Sequence, residues 1–140
     1  MDNFFGTWKQ EGKAENMKAV MDATTGVSDK EKDLMINMLN NFVISRSGDK
    51  YSMVHSCDDP QLTKSYIFDL DEPLESTDIF GRKFKSIFKL VNPNHLTETC
   101  TEWTDDVIDC TYDITGGDTI TWKVNYKGLT STIIMKKVAS

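Results

Sequence analysis

Apolar residues recur at helical spacing in one early stretch of the chain and at every second position almost everywhere after it. Phe5 to Glu11 reads as a first strand, broken at Gly12. Between Ala14 and Thr24, Met17, Val20 and Met21 fall at i, i+3 and i+4 and make one apolar stripe of a helix. Gly26 ends that segment. Ser28 is a good N-cap, with Glu31 at the capping-box position, for a second helix running to about Asn40. Leu34, Met35, Met38 and Leu39 form its apolar face.

From Asn41 the period is two. Phe42–Ser45 leads through the turn residues Ser47-Gly48-Asp49 into Lys50–His55, a hairpin. Further strands are predicted at Thr63–Phe68, Leu74–Thr77, Lys83–Val91, His95–Trp103, Val107–Ile114, Thr119–Tyr126 and Leu129–Lys137, with Asn92-Pro93-Asn94, Gly116-Gly117-Asp118 and Lys127-Gly128 as turns. About ten strands at roughly ten-residue spacing mark a sandwich or barrel. Around eight strands, a barrel is just filled by its own side chains, and more strands leave space inside. The helical pair, about 14–40, sits between the first two strands as a natural lid. An all-β, ten-stranded antiparallel up-and-down barrel capped by a helix-turn-helix is therefore expected, and a capped barrel is a container.

A length of 140 residues fits one domain, 1–140, with one core. The net charge of −6 is spread along the chain without a basic cluster, which argues against a nucleic-acid partner. It also gives no general attraction to anionic membranes, leaving only a transient contact through cap lysines such as Lys18 or Lys32. The acidic start Met1–Phe4 has no apolar signal core, and no apolar run approaches the ~20 residues that span a bilayer. Cys57, Cys100 and Cys110 read as reduced thiols, so a cytoplasmic monomer is expected.

Catalytic chemistry finds little support. No nucleophile elbow, phosphate loop, dinucleotide fingerprint or zinc-protease motif is present. Asp58-Asp59 and Asp105-Asp106 read as turn residues, and neither His55 nor His95 has metal-ligand company. Neither cofactor nor metal is expected. The methionines suit an adaptable apolar lining, although the same residues serve as core filling. Tyr112 shares its face with Ile108, Cys110 and Ile114, and Trp122 alternates with Ile120 and Val124. Each either touches a ligand or is a core aromatic. The candidate ligand-contacting set is Met17, Val20, Met21, Met35, Met38, Met53, His55, Phe68, Cys110, Tyr112, Ile114, Trp122, Ile133 and Met135. Trp8 reads as structural, closing one end of the barrel.

Several short motifs recur in a telling order. They are Phe5-Gly6-Thr7-Trp8-Lys9, Glu15-Asn16-Met17 with Met21, Gly26-Val27, Ser47-Gly48-Asp49 and Phe68-Asp69-Leu70-Asp71-Glu72, then Gly81-Arg82-Lys83-Phe84-Lys85-Ser86-Ile87 and Trp103 before Thr104-Asp105-Asp106. In this order and spacing the chain resembles the intracellular lipid-binding proteins, the fatty-acid- and retinoid-binding family of the calycin group. The resemblance implies the capped ten-stranded barrel and carriage of a fatty acid or related lipid.

It also implies an anchor that this chain lacks. Family members that bind fatty acids hold the carboxylate with two interior arginines and a tyrosine, whose places fall here at Tyr112, Ile133 and Met135. The only arginines are Arg46 and Arg82, and the retinol-type glutamines are missing too, since only Gln10 and Gln61 occur. An unpartnered carboxylate loses several kcal/mol of hydration in an apolar cavity, so a neutral or ring-containing ligand, retinoid- or pigment-like, is the alternative. A barrel filled by its own side chains and acting on a protein partner is another, and a small lyase or isomerase a third.

Overall fold

The computed structural model describes residues 1–138. Each segment of period-two alternation forms a strand: β1 (Gly6–Gln10), β2 (Asn40–Ser47), β3 (Lys50–Cys57), β4 (Thr63–Phe68), β5 (Pro73–Thr77), β6 (Lys83–Asn92), β7 (His95–Thr101), β8 (Ile108–Thr115), β9 (Thr119–Tyr126) and β10 (Leu129–Lys137). All ten join one antiparallel sheet in the order β4-β3-β2-β1-β10-β9-β8-β7-β6-β5. The pairing of β1 with β10 curls the sheet into the expected up-and-down barrel. Its seam lies between β4 and β5, which have no ladder among the described residues. Tyr66 on β4 spans that seam by donating its hydroxyl to the Thr77 carbonyl of β5 at 2.9 Å.

The lid is α1 (Met17–Ala23) and α2 (Asp29–Asn37), each shorter than predicted. Residues before Met17 serve the sheet instead: Glu15 bridges Thr132, and Asn16, left-handed at φ 60°, donates to the Thr130 carbonyl at 3.0 Å. Thr24 is extended and returns its hydroxyl to the Val20 carbonyl at 2.8 Å. Ser28 caps α2 as predicted, its hydroxyl accepting the Glu31 N–H at 3.2 Å. That helix stops early because Met38 is extended, after which the Leu39 N–H meets the Asp58 carboxylate at 3.0 Å and Asn40 opens β2.

Burial divides the interior into two levels. At one end Phe4, Trp8, Leu96, Ile114, Ile120 and Met135 are buried, and the Trp8 indole donates to the Phe4 carbonyl at 2.9 Å. At the other, α1 sends in Met17, Val20 and Met21, whereas α2 buries Met35 alone. The second helix is therefore the less anchored half of the lid. No described helix is long and apolar enough to cross a membrane.

Candidate functional site

Beneath the lid lies a cavity of about 220 Å³. Its wall carries Met17, Val20, Met21, Met35, Met38, Met53, His55, Phe68, Cys110, Tyr112, Trp122 and Ile133. Two predicted residues stand off it. Ile114 and Met135 flank Ile120 in one cross-strand row and belong to the packed end, because alternation fixes the face of a residue but not its height along the barrel. Tyr112 and Ile133, at the two places where the resemblance implies arginine, flank Trp122 on the wall.

The wall is aromatic on one side. His55 lies 5.0 Å from Phe42 between ring centres, Phe42 lies 5.2 Å from Trp122, and Trp122 stacks on Tyr112 at 5.6 Å. Phe42, Tyr66, Phe84 and Phe88 also line the cavity and were missing from the sequence-derived set, although alternation places each on an inward face.

A more consequential omission is Glu98. Its carboxyl accepts the Ser86 hydroxyl on one oxygen and the Tyr112 hydroxyl on the other, both at 2.6 Å. It lines the cavity, so such accessible surface as it keeps faces the enclosed space. Burial raises its pKa, and the two hydroxyl donors only partly oppose that. The Tyr112 hydroxyl is pushed well up, first by burial and then by the neighbouring Glu98 charge. Burial likewise pushes Cys100 up to about 12, and Cys110 well up. These thiols are poor nucleophiles.

Among the described residues, no lysine or arginine stands on the wall. Arg46 lies outside, over the rings of Phe5 and Tyr51. Arg82 works at the lid, donating to the Gly26 carbonyl at 2.7 Å and the Trp103 carbonyl at 2.8 Å. The Trp103 indole in turn donates to Asp78 at 2.8 Å.

The other polar feature is a relay whose orientation can be deduced. Gln10 donates to the Gly12 carbonyl, so its oxygen faces Asn40 and accepts both the backbone and side-chain N–H groups there. The Asn40 oxygen then meets His55 Nε2 at 2.8 Å, which must carry the proton. His55 Nδ1 is left as an acceptor. Burial lowers the His55 pKa to about 4, so the ring is neutral near neutral pH. Among the described residues, Trp122 Nε1 is the one fully buried side-chain nitrogen or oxygen without a hydrogen-bond partner, and no cluster could hold a metal.

No protein-family profile matches the sequence, and no curated protein matches it either. Solved structures do. Fatty-acid-binding protein 1 of Echinococcus granulosus superposes with a TM-score of 0.86 at 20% identity, covering 99% of this chain and 100% of that one. The chain has the fold of the fatty-acid-binding proteins. The Schistosoma mansoni fatty acid binding protein, solved in complex with arachidonic acid, gives 0.84 at 23% identity over 99% of this chain and 98% of its own. As-p18, an extracellular fatty acid binding protein, gives 0.80 at 24% identity over 98% and 97%. Within this fatty-acid-binding-protein fold, the present chain surrounds its cavity with aromatic rings, thioethers and one buried acid.

Proposed function

We propose that the protein is a non-enzymatic carrier that takes up one long apolar ligand in the interior cavity. The observation behind this reading is an apolar, methionine- and aromatic-lined space beneath a two-helix lid. Each methylene buried there contributes about 0.8 kcal/mol, enough for a chain to bind without a charged anchor. The fatty-acid-binding neighbours favour a fatty acid or related lipid. The wall favours a head group other than a carboxylate, because Tyr112 and Ile133 stand where the resemblance implies cations and the acid Glu98 lies against Tyr112. A fatty acid would bind with its carboxylate turned toward the exit. That exit is the groove between α2 and the β3–β4 turn, lined by Leu34, Cys57, Asp58 and Leu62, whose residue Met38 also lines the cavity.

The protein acts as a cytoplasmic monomer in this reading, with transient membrane contact through the lid. Native extraction followed by mass spectrometry tests it. Recovery of a lipid or other apolar molecule in near-equimolar amount is expected. An empty barrel that takes up neither a fatty acid nor a neutral long-chain analogue would reject carriage in favour of a protein-binding role.

A further inference from the structure

The geometry points to Glu98 as the head-group receptor of the cavity, selecting an apolar ligand whose head carries a protonated amine. This rests on the carrier reading and gives it a ligand class.

Three observations converge on that head group. The Glu98 oxygens each accept one hydroxyl, from Ser86 and from Tyr112, and a carboxylate oxygen accepts two hydrogen bonds, so each keeps one free position. Among the described residues, the groups around Glu98 offer no cation. Ser86 comes from β6, Cys100 from its own strand, and Cys110 and Tyr112 from β8, with Tyr66 and Asp78 further across the cavity. Beside Glu98, Tyr112 stacks on Trp122 and Trp122 meets Phe42, so aromatic rings border the cavity there, the kind of surroundings in which a desolvated ammonium is stabilised. A primary amine on a long apolar body meets all three conditions. A fatty carboxylate meets the opposite: it sets a second acid beside Glu98 and must enter protonated or displace a proton equilibrium.

The test is calorimetry with three ligands of one chain length: dodecylamine, dodecanol and dodecanoate. Dodecylamine is expected to bind on the order of tenfold or more tighter than dodecanol, the scale of one charge-assisted hydrogen bond, with dodecanoate weakest. In Glu98→Gln the amine should fall to the level of the alcohol, while the alcohol keeps its affinity. Wild-type protein supplies an independent readout should that variant fail to fold. The ranking of the three ligands in wild-type protein is that readout, with the amine first and the acid last. The inference is overturned if dodecanoate or dodecanol equals the amine in wild-type protein, or if Glu98→Gln leaves the ratio unchanged. Uptake of alcohol or acid without amine preference rejects the inference and leaves carriage standing. Uptake of none of the three rejects both.

Discussion

His55 and Glu98 both face the cavity, and burial acts on them with opposite consequences for stability. The His55 pKa falls from 6.5 to about 4 on folding, so the unfolded chain binds the extra proton between those values. Its contribution is complete above about pH 6.5 and is lost as pH falls toward 4, by up to about 3 kcal/mol. Glu98 is raised, so the folded state holds the extra proton above the ordinary carboxyl pKa, and acidification through that window stabilises. The two partly cancel in the wild type. Urea denaturation across mildly acidic pH should show Glu98→Gln losing stability on acidification more steeply than wild type. In His55→Gln the stability should instead hold or rise, and parallel curves for all three proteins would reject the assignment. His55 was legible in the sequence as an inward residue. Glu98 is harder to read, because an isolated acid in a strand resembles a surface charge, yet the signal exists: Leu96, Glu98 and Cys100 share one face, with Thr97, Thr99 and Thr101 on the other.

At the scale of elements, the lid was readable and its fastening was not. Stripe spacing and the Ser28 cap located both helices, but their ends depend on long-range partners, Thr132 for Glu15 and Asp58 for Leu39, that no local pattern contains. The fastening is Arg82, which joins the loop after α1 to the barrel through the Gly26 and Trp103 carbonyls and lies 5.3 Å over the Trp103 ring. Lysine cannot reproduce two directed donors and a stacked plane. Arg82→Lys should therefore speed release of a bound neutral dye severalfold in stopped-flow displacement, with global stability down by about 1 kcal/mol. Gly26→Ala attacks the same joint from the other side. Its φ is +76°, and an added Cβ would sit 3.0 Å from the Arg82 guanidinium. A loss of about 1–2 kcal/mol is expected from the backbone alone, with the same faster release. Met38, shared by cavity and outer groove, makes the complementary case. Met38→Trp should slow both entry and release while changing Kd less than either rate. An unchanged release rate in all three variants would place the exit elsewhere.

Across the whole molecule, strand number and lid position followed from the change of period at Asn41, whereas the division into a packed end and a hollow end did not. Height along a barrel axis depends on strand tilt and register, and the register is a property of pairs of strands. This is why Ile114 and Met135 read as lining although they pack with Ile120. The division makes its own prediction. Met135 is wholly enclosed, so Met135→Ala leaves a void among packed neighbours and should cost about 2–5 kcal/mol. Met53 borders space that is already empty, so Met53→Ala removes fewer contacts and should cost about 1–2 kcal/mol. Ligand separates the two further. A ligand at a hundredfold its Kd stabilises by about 2.7 kcal/mol. Met135→Ala should keep that increment in urea denaturation with and without dodecanol, because its void lies outside the binding space. Met53→Ala should lose part of it, because the alkyl chain forfeits a wall contact. The opposite ranking, with Met53 costly and Met135 tolerant, would mean that the hollow lies at the Trp8 end and that the lid covers a filled barrel.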